Sequence, residues 1–132
     1  MNIQVAVLCD AATDDNGKLN LLGAFDTIYA QQLPVTHPCV LALRLTIGHE
    51  DEGEHQLRLI FVDADGRTIM PQPIEISIRV ALPLDSHFGT RNIIIQQGLL
   101  LENPGLYSID LRVDGEPQAS IPLLVKQRPP SM

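Results

Sequence analysis

The chain has no tryptophan, two tyrosines and three phenylalanines among its 132 residues. Aromatic side chains bury the most area each, so a core here has to be built from aliphatic ones. Only two cysteines are present, which excludes the disulfide-dense scaffolds of small secreted domains. Cations are also scarce: nine Lys and Arg stand against sixteen Asp and Glu, a formal charge of −7. That balance argues against a nucleic-acid backbone or an anionic membrane as partner. No apolar run approaches the roughly 20 residues that a spanning helix needs. The opening MNIQVAVLCD lacks the basic region and cleavage site of a signal peptide. A cytoplasmic protein is the expectation.

What the chain does have is ten prolines and nine glycines, set between short runs rich in β-branched residues, a pattern of many turns and short strands. Ile74, Ile76, Ile78, Val80 and Leu82 alternate with polar residues, as on a strand with one buried face. Cys39, Leu41, Leu43, Leu45 and Ile47 form a second such row. Leu57, Leu59 and Phe61 form a third, opposite Arg58, Ile60 and Val62. By the same parity both thiols, Cys9 and Cys39, point inward as buried free cysteines. Residues 11–17 read as a polar loop, 18–30 as one strand bent near Gly23, 49–55 as a hairpin turn and 67–70 as a short strand. An irregularity is expected at 96–98. No segment has a helical period, and no internal repeat is present. Eight or nine short, mostly antiparallel strands in a two-sheet sandwich follow. The domain spans 1–126, with a tail at 127–132.

The clearest stretch is NPGLYSIDLRVDGEPQASIPLLV at 103–125. Pro104-Gly105 turns the chain, Tyr107 opens an alternating strand, and Asp114-Gly115 suits a hairpin turn. Pro104, Gly105 and Tyr107 resemble the tyrosine corner of immunoglobulin-like sandwiches, which makes the expected fold all-β and immunoglobulin-like. The opening VLCDAATDDNGKLNLLGAFDTI and the closing GLYSIDLRVDG resemble a small family of functionally uncharacterised bacterial proteins. The matching positions are Asp10, Gly17-Lys18-Leu19-Asn20 and Gly23. The resemblance implies a sandwich and no activity.

Catalytic motifs are lacking. Asp85-Ser86-His87 are consecutive and cannot stack as a triad. An EF-hand loop begun at Asp10 puts Ala12 at the third place and Leu21 at the twelfth, and so fails. The expectation is a protein that is not an enzyme and uses no cofactor. Within HEDEGEH, His49 and His55 with Glu50 and Glu54 are symmetric about Glu52. Across a hairpin they would face each other and could hold Zn²⁺ or Ni²⁺, although a solvated acidic turn that discourages edge aggregation is the favoured account. Strand alternation sends the loops with Asp10, Asp14, Asp15, Asp51, Glu52, Asp85, Asp114 and Glu116 to one end, an acidic end.

Three functions are carried forward. The first is a non-catalytic binding or assembly module for an unknown protein partner. The second is a binding domain dependent on a divalent cation at the acidic end. An enzyme with a loop-assembled site ranks third. Ile60 and Val62, with Arg58 beside them and Leu124 on the last strand, form an outward apolar patch expected to support a homodimer.

Overall fold

The alternating rows become ten strands in a computed structural model that describes residues 1–70 and 72–128. Three strands make one sheet in the order β1 (Asn2–Cys9), β5 (Val35–Ile47), β8 (Gly89–Leu101). Five make the other: β4 (Thr27–Ala30), β10 (Glu116–Gln127), β9 (Gly105–Val113), β6 (Gly53–Val62) and β7 (Ile74–Val80). β4 runs parallel to β10, and the other pairings are antiparallel. The fold is an all-β sandwich. Among the described residues no helix is long and apolar enough to cross a membrane.

The core lies between the sheets and is almost wholly aliphatic. Leu41, Leu43 and Leu45 on β5 meet Leu57, Leu59, Ile109, Leu111 and Leu123 from the facing sheet, all at 0% or 1% exposure. The period of two therefore assigns most side chains to their faces correctly. β1 is the exception. Its register against β5 shifts between Ile3 and Val5, and the extra residue inverts the parity. Leu8 and Ala6 join the main core, whereas Cys9 and Val7 point to the outer face.

That outer face is covered by a part of the chain expected to be a loop. Residues 11–17 supply β2 (Ala11–Asp15), which pairs with β3 (Lys18–Leu22) through an Asn16-Gly17 turn. Ala12 and Leu19 of this hairpin seal a second small core over Cys9, Val40, Ala42 and Ile94. Arg44 fastens its tip: its guanidinium donates to Gly17 O (2.8 Å), Asn92 Oδ1 (2.7 Å) and Gln4 Oε1 (2.9 Å). Asn92 in turn donates to Asp14 Oδ2 at 3.2 Å. After Gly23, at φ +69°, the chain crosses to the other sheet as β4, so 18–30 is two strands and not one. Residues 67–70 contribute only a bridge from Thr68 to Val62. The β5–β8 register is unbroken through 96–98. Gln127 ends β10, and Arg128 N donates to Ala30 O (2.8 Å), so residues 127 and 128 of the expected tail are joined to the sheet; 129–132 lie outside the described residues.

Candidate functional site

β5 and β6 belong to different sheets, so 49–55 is a crossover and not a hairpin turn. A single 3₁₀ turn, His49–Asp51, begins it. His49 and His55 therefore do not oppose each other across strands, and each imidazole is engaged at both nitrogens. His49 Nδ1 meets Glu52 Oε1 (2.9 Å) and Nε2 meets Ser86 O (2.7 Å). His55 Nδ1 meets Asp114 Oδ2 (2.6 Å) and Nε2 meets Asp51 O. The Glu52 hydrogen bond raises the pKa of His49, and the Asp114 hydrogen bond raises that of His55. Glu54 lies 3.4 Å from Arg79, and Glu50 is exposed beside Gly48. Among the described residues no three His, Cys, Asp or Glu side chains converge as a metal site requires.

The acidic end is real in part. Hydrogen bonds from His49 to Ser86 and from His55 to Asp114 bring together the loops that carry Asp51, Glu52, Asp85, Asp114 and Glu116. Asp10 is not there: Cys9 pairs with Val40, whereas Asn2 pairs with Thr46, so Asp10 lies at the opposite end of the sheet. Asp14 sits at the hairpin tip against Asn92, and Asp15 beside it pairs with Lys18. The segment expected to loop at one end instead runs back along the outer face.

The thiols offer no reactive centre. Both are free and buried. Burial, then the neighbouring Cys9 thiol, pushes Cys39 up to about 11; burial, then the Asp10 charge, raises Cys9. Such thiols hold their protons and are poor nucleophiles and metal ligands. Tyr107 is buried at the Pro104-Gly105 corner, and its hydroxyl donates to Asn103 O at 2.6 Å. Tyr107→Phe leaves that acceptor without its donor and should destabilise by about 1 kcal/mol, measurable by urea titration.

The outer face of the five-stranded sheet is an organised surface with exposed side chains. Register places its side chains in rows: Lys126 beside Tyr29; Thr27, Leu124 and Leu106; Pro122, Ser108 and Val62; Ser120, Asp110 and Ile60; then Arg112, Arg58 and Glu75. Arg58, Ile60, Val62 and Leu124 thus share one face, as their parity predicts. Leu106 is 55% exposed and Tyr29 56%, each alternating with buried neighbours, Tyr107 and Ile28. The apolar side chains on this face are Tyr29, Leu124, Leu106, Pro122, Val62 and Ile60, with Ser108 standing between Pro122 and Val62; Leu124, Val62 and Ile60 are half-buried. Lys126 and Arg128 lie over the Tyr29 ring, 6.0 and 5.1 Å from its centroid.

Charge on this face is opposite to that of the chain. Arg58, Arg79, Arg112, Lys126 and Arg128 are five of the nine Lys and Arg residues, against Glu54, Glu75 and Asp110. Arg58 is 3.7 Å from Glu75, Arg79 is paired with Glu54, and Ser120 Oγ donates to Asp110 at 2.9 Å. Arg112 stands directly opposite Arg58, a like-charge pair that Glu75 offsets from the Arg58 side. A further concavity lies where β1 ends and β5 begins, about 710 Å³, lined by Asp10, His37, Gln96 and Gln97 among others. His37 Nδ1 is buried there without a hydrogen-bond partner.

The model of a family of unknown function, DUF6941, matches residues 4–126. No curated protein matches the chain. Among solved structures, the fold is similar to part of the Pseudomonas fluorescens alkylpurine DNA glycosylase AlkC bound to DNA containing an abasic site analog. The likeness has a TM-score of 0.49 at 10% identity and covers 95% of this chain and 30% of that one. At that level nothing of the glycosylase's chemistry transfers to this chain.

Proposed function

The chain belongs to DUF6941, and from that premise we propose that it is a non-catalytic binding module whose open five-stranded sheet face receives an acidic protein surface. One observation carries this reading. Among the described residues, the chain's own β2–β3 hairpin covers the outer face of the three-stranded sheet over Cys9, Val40 and Ala42, while the opposite outer face has no such cover and holds a row of partly exposed apolar side chains flanked by cations. A polar-rimmed apolar surface of this kind marks an interaction site, and charges around it select the partner's sign. Two-fold pairing of this face with itself would set its cations against their copies. A polyanion such as DNA would meet the chain's net −7 and leave those apolar side chains unused. The buried free thiols support a cytoplasmic setting, and the Tyr107 corner supports an immunoglobulin-like relationship.

The test is a photo-crosslinking amino acid at Leu106, compared with one at Leu22 on the exposed side of the hairpin, in the native host. Adducts with one acidic protein from position 106 alone, lost in Arg58→Glu, Arg112→Glu, are the expected result. Equal labelling from both positions, or an adduct with a second copy of the chain, overturns the reading. Fluorescence anisotropy with a short DNA duplex provides the other arm: binding abolished by the same two substitutions would replace the protein partner with nucleic acid.

A further inference from the structure

Among the described residues, four strands edge the two large sheets: β1, β8, β4 and β7. Edges expose unpaired backbone groups, and proteins blunt them with bulges, short length, proline or charge. Three of the four are blunted. β1 carries a register shift between Ile3 and Val5. β4 has only four residues. β7 has seven, follows Pro73, and carries Glu75 and Arg79. β8 has none of these devices. It runs for 13 residues with no register shift, no proline and no lysine. Its one charge, Arg91, is turned onto Arg79 O at 3.1 Å.

The core is also uncovered beneath this edge. Ile93 and Ile95 lie on the inward row, opposite the fully buried Leu43 and Leu41, yet are only half-buried. Ile74 and Ile76 on β7 are half-buried as well. The Arg91–Arg79 contact shows that the two edges adjoin, so an apolar seam runs between them.

We propose that β8 pairs antiparallel with β8 of a second copy, joining two three-stranded sheets into one continuous sheet. The strand's sequence suits itself. Pairing about a two-fold axis at Ile94 sets Ile93 opposite Ile95 and Asn92 opposite Gln96 of the second copy, apolar with apolar and amide with amide. With one tied charge per strand, no like charges oppose each other. The partner strand covers the seam and satisfies the free backbone groups, which is strand addition between identical edges. This surface is separate from the open face of the five-stranded sheet, so either assignment can fail alone.

Sedimentation velocity across a micromolar range should show a monomer–dimer equilibrium. Hydrogen exchange over the same range should show residues 89–101 gaining protection as the dimer forms. Gln96→Lys with Leu100→Lys, both at exposed positions on β8, should raise the dimer dissociation constant by about 100-fold or more. A wild-type chain that stays monomeric at high micromolar concentration overturns the proposal. So does a dimer with no gain of protection in 89–101, or one indifferent to the two lysines. Should the lysine variant fail to fold, exchange on the wild type still decides.

Discussion

Leu111→Ala should lower the unfolding free energy by about 2–5 kcal/mol, the largest single-site effect expected here. Leu111 lies on β9, between β6 and β10, and is completely buried. Its neighbours are other aliphatic side chains fixed on two sheets. They cannot move in to fill the space, so the lost transfer energy is compounded by a cavity. Leu124 provides the control. It is on the adjacent strand but points to the open face and is only half-buried, so Leu124→Ala should cost less than about 1 kcal/mol. Guanidinium titrations with equal slopes and well-separated midpoints would show this. Similar losses at both sites would mean that the outer face is packed as firmly as the core.

Asp114→Ala should cost about 2 kcal/mol despite the exposure of the side chain. Asp114 has φ +51° and is followed by Gly115 at +83°, the paired left-handed residues of a tight hairpin turn. Alanine is strained there by roughly 1 kcal/mol. The carboxylate also accepts the Gln56 N–H at 2.9 Å and meets His55 Nδ1 at 2.6 Å. With 49% of the side chain exposed, solvent screening reduces the worth of that ion pair, and about 1 kcal/mol remains for the two contacts.

The same contacts make stability depend on pH. The hydrogen bond from the Gln56 backbone, then that with His55, lowers the pKa of Asp114; the bond with Asp114 raises that of His55. A raised histidine pKa contributes stability that is complete below the unfolded value of about 6.5 and is lost as pH rises through the folded value. A lowered carboxylate pKa contributes stability that is complete above about 3.9 and is lost as pH falls through the folded value. Melting temperature should therefore be highest between about pH 4 and 6.5. Asp114→Asn keeps the turn geometry but removes the charge, and should flatten both limbs. A wild-type profile unchanged in Asp114→Asn would remove the pair from the account.

Alternation by itself determined the class of fold and the faces of most strands. The Leu41, Leu43, Leu45 and Leu57, Leu59, Phe61 rows are where the period of two puts them, because a pleated strand leaves each side chain a choice of only two faces. The turn at Asp114-Gly115 and the corner at Tyr107 were equally legible, since each depends on residues adjacent in the chain. Tertiary structure alone decided the rest. One extra residue between Ile3 and Val5 turned Cys9 to the outer face, and no pattern within β1 announces it. The segment 49–55 is as compatible with a hairpin as with a crossover, and the pairing partners of β5 and β6 decide which forms; only then are His49 and His55 drawn apart. Nor can a single strand reveal that Leu106 lies beside Leu124, that Arg112 faces Arg58, or that β8 is left at an edge. Each is a relation between distant segments, set by which rows must share one core, and it is on those relations that the open face and the free edge depend.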